Sequence, residues 1–122
     1  MAIDGVKIID SDTGYDIYNY VIGSYKDGMS ADKIVETMLS EEKDYCIDDF
    51  YSEIYWTALA YSLWKIGHLP DDVKEKTIGI IKKGADEFWL EIDGNALKQR
   101  QKNLDKLAIQ LESENLKPIK VS

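Results

Sequence analysis

A chain of 122 residues with 44% apolar and 31% charged side chains has the make-up of one globular domain; it is too short for two and too apolar for a disordered tail. A single cysteine, Cys46, excludes an internal disulfide and a cysteine-based metal site, and a single histidine, His68, leaves few ligands for zinc. The formal charge of −8 argues against nucleic acid or anionic lipid as a partner, since both repel an acidic surface.

Residues 1–10 contain acids and no long apolar core, so they do not read as a signal peptide, and no stretch reaches transmembrane length. A cytoplasmic, single-domain protein is the simplest expectation, with 1–11 and 116–122 extended or trailing. Val6, Ile8 and Ile9 would lie against the bundle, and 119–121 could pair with 6–9. Asp12 or Thr13 can cap a first helix running to about Asp27, ended by Gly28 in the left-handed conformation. Tyr15, Tyr18, Ile22 and Tyr25 recur along it at core-facing spacing, with Ile17 and Val21 beside them; Gly23 would permit a close helix crossing. Ser30 caps a second helix over 31–40, with Ile34, Val35, Met38 and Leu39 inward. Residues 41–49, EEKDYCIDD, form an acidic connector or the ragged entry to the next helix.

Residues 49–67 are the centre of the chain. Phe50, Tyr51, Ile54, Tyr55, Trp56, Ala58, Leu59, Ala60, Tyr61, Leu63, Trp64 and Ile66 fall all round the helical circumference, not on one stripe. A helix apolar on every side is buried in a bundle or crosses a membrane, and this one is too short and too polar to cross. Gly67 and His68 look like its C-terminal cap. Pro70, at the first helical position, opens another helix to Lys83 that buries Val73, Ile78 and Ile81 or their neighbours and stops at Gly84. A short helical piece over 86–91 presents Phe88, Trp89 and Leu90. Asn95 caps a last helix to about Ser113, with Leu97, Leu104, Leu107, Ala108 and Leu111 on its inner stripe. The predicted fold is all-α, five or six helices packed around 49–67.

Chemistry is sparse. No serine sits in a nucleophile-elbow setting, and one cysteine with one histidine gives no third group to orient a base. Asp44, Asp48 and Asp49 lack the loop spacing of a calcium site. The expectation is therefore no catalytic residues, no metal and no cofactor. Glu53 alone asks for an explanation, since a carboxylate in a helix committed to the interior must be bonded, paired or protonated. Either it is tethered to a tyrosine hydroxyl, a tryptophan indole or a backbone amide, or it is a perturbed acid in a cleft. With no catalytic companion in view, the tether is the simpler account.

Charge carries more information. Residues 1–49 hold twelve acids and four lysines, so the net −8 of the chain arises there; 50–84 and 85–122 nearly balance. Such a face steers a basic protein toward it, and a solvated surface kept for solubility is the plain alternative. Tyrosines interleaved with these acids supply apolar area with a polar tip. The expected partner-binding residues are Glu41, Glu42, Asp44, Asp48 and Asp49, with Tyr45 and Tyr51 as anchors.

Several segments together resemble a known kind of module: Tyr55-Trp56-Thr57-Ala58-Leu59-Ala60; Leu63-Trp64-Lys65-Ile66-Gly67-His68-Leu69; Val73-Lys74-Glu75-Lys76 with Ile80-Ile81; Gly84-Ala85-Asp86 and Trp89; and the 104–111 helix followed by Lys117-Pro118. Over about residues 50–120 the pattern looks like small α-helical bacterial immunity proteins of contact-dependent inhibition and other polymorphic toxin systems. The shared motif, W-x-A-L-A then W-K-x-G-x-L, is a packing pattern and brings no catalytic residues with it. The resemblance implies a protein that neutralises a cognate toxin, a nuclease with a basic cleft being a natural target for an acidic inhibitor. The competing readings are a helical adaptor unrelated to toxins and, third, an enzyme or small-ligand binder using a pocket beside Glu53. The oligomeric state is left open.

Overall fold

In the computed structural model, which describes residues 8–9 and 11–120, the chain is all-α. Its elements are α1 (Asp12–Lys26), α2 (Ala31–Ser40), α3 (Glu42–Tyr45), α4 (Asp49–Lys65), α5 (Asp71–Lys83), a 3-10 helix (Glu87–Glu91) and α6 (Ala96–Glu112). Helix α4 is the axis. Eleven of its seventeen residues are buried, which is why its apolar side chains show no preferred face. Helices α1, α3, α5 and α6 all pack against it, and α2 closes the bundle by contacting α1 and α3. Among the described residues no helix is long and apolar enough to cross a membrane.

Local chemistry sets the helix ends. Ser11 caps α1, its Oγ accepting from Gly14 N–H at 2.9 Å, one position before Asp12 and two before Thr13, the expected caps. Ser30 Oγ accepts from Lys33 N–H at 3.2 Å and Asp48 Oδ1 from Tyr51 N–H at 2.8 Å. Each such cap typically contributes about 1 kcal/mol. Gly28 (φ 100°) and Gly67 (φ 78°) close α1 and α4. Beyond them the Met29 and His68 N–H groups reach back to the Ser24 and Leu63 carbonyls, a closure that needs a left-handed residue. Pro70 stands just before α5, one residue short of the predicted first helical position. Asn95 precedes α6 but makes no side-chain cap.

The inner faces differ from the sequence reading in instructive ways. Ile17, Val21 and Ile22 are the buried residues of α1's stripe, and Tyr15 is 54% exposed. The tyrosines line the shoulder instead: Tyr18 stacks on Tyr61 at 5.9 Å, and Tyr25 Oη lies 3.1 Å from His68 Nε2. A phenol hydroxyl needs water or a partner, so the aliphatic residues take the interior. A methyl group at Gly23 would meet nothing within 4 Å, so no close crossing is made there. In α5 the inner face is Val73, Thr77 and Ile81, with Thr77 in place of Ile78; its Oγ1 donates to the Trp56 carbonyl at 3.2 Å.

The end of the chain folds over the C-terminus of α4. Trp64 Nε1 donates to the Ser113 carbonyl at 2.8 Å, and Asn115 Nδ2 donates to the Trp64 and Lys65 carbonyls at 3.0 and 3.2 Å. Ile119 N–H donates to the Lys65 carbonyl at 2.8 Å, so the last carbonyl of α4 is answered by the tail, while the Trp64 carbonyl also accepts from Gly67 N–H at 3.0 Å. The pairing of 119–121 with 6–9 falls partly on Val6 and Val121, outside the described residues.

Candidate functional site

The N-terminal half of α4 gathers the polar chemistry of the molecule. Glu53 is 2% exposed and both of its carboxylate oxygens are occupied. Oε1 accepts from Asp86 N–H at 2.9 Å, and Oε2 accepts from Trp89 Nε1 at 2.9 Å and from Arg100 Nε at 2.6 Å. Arg100, 1% exposed, also donates through Nη2 to Thr57 Oγ1 at 3.2 Å and lies over the Trp89 ring at 4.6 Å. Thr57 passes its own hydroxyl proton back to the Glu53 carbonyl at 2.7 Å. A carboxylate so satisfied is a strut: it fixes the 3-10 helix and α6 against α4. It touches a hollow of about 290 Å³ shared with Asp49, Ser52, Lys83, Gly84, Asp86 and Glu87, but its oxygens are turned to protein donors. The tether anticipated from sequence is present through the indole and the amide; the arginine is an addition.

The acids of 41–49 divide between two flanks of α4. On the α1 side, Tyr45 is half-buried with its ring tilted against buried Tyr55 at 5.4 Å. Burial raises its phenol pKa, and the charges of Glu41, Asp16 and Asp44 raise it further. Those three carboxylates therefore act on one tyrosine. Tyr55 in turn donates to the Met38 carbonyl at 2.5 Å and packs edge-on to Trp56 at 5.1 Å. Cys46 sits beside this group, its thiol pKa raised chiefly by burial, then by Glu42, while a hydrogen bond with Ser52 and the charge of Lys76 pull it down.

On the α5 side, Glu42 and Asp49 share a hollow of about 460 Å³ with Trp56, Glu75, Lys76 and Lys83. Lys83 Nζ lies 3.6 Å from Asp49 Oδ2, both side chains well exposed, an ion pair that contributes little to stability in water. Asp48 is exposed but engaged as the cap of α4, and Tyr51 stands edge-on to Phe50 at 5.6 Å. The carboxylates of 41–49 are all exposed or half-exposed. They are not one group: Glu41 and Asp44 act with Asp16 of α1 on Tyr45, while Glu42 and Asp49 line the hollow that holds Lys76 and Lys83 of α5.

Phe50 links this end of α4 to the 3-10 helix, meeting Phe88 at 4.6 Å and Trp89 at 4.9 Å. Asp86 and Glu87 join Asp49 around the smaller hollow, so the second flank extends beyond the acidic connector. A groove of about 730 Å³ lies elsewhere, between residues 84–85 and the first half of α6, lined by Leu97, Lys98, Gln101, Lys102 and Asp105. It is a broad trough whose Gln101 already accepts from Ala85 N–H at 2.6 Å. Among the described residues no group of three or more His, Cys, Asp or Glu is placed to hold a metal ion.

The chain matches no family model, no curated protein and no solved structure. Arg100 is the functional-looking residue that the sequence reading passed over. A signal was there: it is the only arginine, and it occupies the 3–4 spacing between Leu97 and Leu104 on the apolar stripe of α6.

Proposed function

We propose that this protein binds a basic protein and acts by occupying it, as an immunity protein does with its toxin, and makes or breaks no bonds itself. The observation that supports this reading most is the Tyr45 group. A half-exposed ring, packed against Tyr55 at 5.4 Å, lies within the field of the Glu41, Asp16 and Asp44 carboxylates. Acids draw a cationic surface in and an aromatic ring with a fixed rear contact gives it something to bury. If the target is a nuclease, the carboxylates stand where phosphates would in its cleft. The toxin-directed version rests on the likeness read in the sequence over 50–120.

Co-expression with the product of the neighbouring gene in the host genome tests it. The proposal expects growth to be rescued, a complex to form, and both to weaken when Glu41 and Asp44 are changed to lysine. These two are preferred for reversal because Asp48 caps α4 and Asp49 pairs with Lys83. Complex formation with a basic protein that is not toxic would favour the adaptor reading instead. No complex with any basic protein would overturn the proposal.

A further inference from the structure

Residues 86–93 read Asp-Glu-Phe-Trp-Leu-Glu-Ile-Asp: four acids, no base, and large apolar residues between them. Trp89 turns inward, while Phe88, Leu90 and Ile92 remain 50%, 49% and 39% exposed. A 3-10 helix makes a turn every three residues and rises about 2 Å per residue, so with Trp89 inward Phe88 and Leu90 flank the outer side about 4 Å apart along the axis, and Ile92 follows just past the helix end. Among the described residues the other exposed large apolar side chains (Tyr15, Met29, Ile47, Ile109 and Leu116) are spread singly along the sequence. Single exposed residues need no explanation; a cluster does. The cluster is also held in place. Asp86 and Trp89 are bonded to Glu53, Asp86 Oδ1 accepts from Phe88 N–H at 2.9 Å, and the Phe88 ring rests on Phe50. A ring positioned before contact loses little freedom on docking.

We propose that the outer side of this 3-10 helix is a docking edge for a basic protein, with Phe88 entering an apolar recess and Glu87, Glu91 and Asp93 meeting lysines or arginines around its rim. The proposal rests on the reading above and names the edge that makes the contact. Charge selects the occupant. A second copy of this chain would set the four acids against the same four, and anionic lipid or nucleic acid is repelled in the same way. Asp49 continues the negative field across the hollow it shares with Asp86 and Glu87, where Lys83 is the base present.

The test places the photo-cross-linking residue p-benzoylphenylalanine at position 88, 45 or 109 of the full chain in its native host. The captured protein is then identified, purified and titrated against the unmodified chain and three variants: Phe88→Ser, Leu90→Ser and the pair Glu87→Lys with Glu91→Lys. Leu90 belongs to neither buried cluster, so its variant folds even if Phe88→Ser disturbs Phe50; thermal midpoints check each. The expected result is capture of a basic protein from position 88 and not from 109, with every variant binding it at least about tenfold more weakly. Capture from 45 but not 88, with the variants binding at full strength, overturns the docking edge and leaves the proposed function standing. Capture of nothing basic from either position overturns both. Capture of another copy of this chain from 88 overturns the docking edge by showing self-association.

Discussion

Arg100 and Glu53, 47 positions apart, meet inside the protein at 2.6 Å with almost no access to water. Around them the Trp89 indole, the Asp86 amide and the Thr57 hydroxyl complete the bonding, so two charges are buried with their polar atoms answered. Burying ions is expensive, and an apolar pair of similar volume often serves stability as well. The pair gives something else: it ties α4, α6 and the 3-10 helix together at the end of the bundle that carries the acids.

Removing one member leaves the other buried and uncompensated. Arg100→Met should therefore cost roughly 3–5 kcal/mol in urea unfolding, and Glu53→Met a similar amount. The double variant should be less destabilised than the sum of the two, and close to either single change. Full additivity would mean that the two charges do not depend on each other.

Tyr55 is the buried phenol of the aromatic group, and burial, with the nearby Cys46, Glu42, Glu41 and Tyr45, raises its pKa well above the ordinary value near 10. The folded protein holds this proton more tightly than the unfolded chain does. The associated stability is therefore complete below about pH 10 and declines as pH rises above it. Tyr55→Phe loses the bond to the Met38 carbonyl, about 1 kcal/mol. Its thermal midpoint should fall below that of the parent at about pH 8, with the gap narrowing by about pH 11. A gap independent of pH would show that this phenol titrates alike in both states.

Cys46 should be a sluggish thiol. Its raised pKa leaves less thiolate near neutrality than an ordinary cysteine, so labelling with iodoacetamide at about pH 8 should run several-fold slower than for a free thiol. Glu42→Gln should speed the reaction and Ser52→Ala should slow it, following the signs of their effects on the thiolate. A rate equal to that of free cysteine would contradict the assignment.

The tail over α4 is testable by small changes. Asn115→Ala releases the Trp64 and Lys65 carbonyls from one donor and should cost about 1 kcal/mol. Gly67→Ala should cost more, because an alanine there is strained at φ 78° and its methyl carbon would come within 3.0 Å of Pro118. Hydrogen exchange at Ile119 should quicken in both variants, as its amide bonds to the same end of α4.

Much of the fold was legible because the punctuation was strong. Ser30, Gly28, Gly67 and Gly84 mark helix ends through mechanisms that depend on few neighbours, whereas the cap by Asp48 showed only in the structure. The all-round apolar character of 49–67 pointed to a buried axis without any knowledge of what surrounds it. What sequence spacing could not tell was which residue of a shoulder turns inward: Tyr15 and Ile17, or Thr77 and Ile78, compete through long-range packing. Glu53 announced itself as a polar residue in an apolar helix. Its partner did not, because an arginine on a helix otherwise rich in lysine and glutamine reads as surface until the apolar spacing at Leu97 and Leu104 is noticed. The acidic run was plain as composition, but its division into two flanks depends on α3 turning the chain between Glu41 and Asp49, a local geometry that charge counting does not contain.

The central claim is that carboxylates around the start of α4 draw a basic protein to this one. The most direct measurement is the association rate between the purified pair from about 50 to 300 mM salt, for the parent chain and for Glu41→Lys with Asp44→Lys. The account predicts a parent rate that falls steeply as salt rises, and a variant that associates more slowly at low salt with a shallower fall. A parent rate indifferent to salt, or a variant that matches it throughout, would contradict the claim.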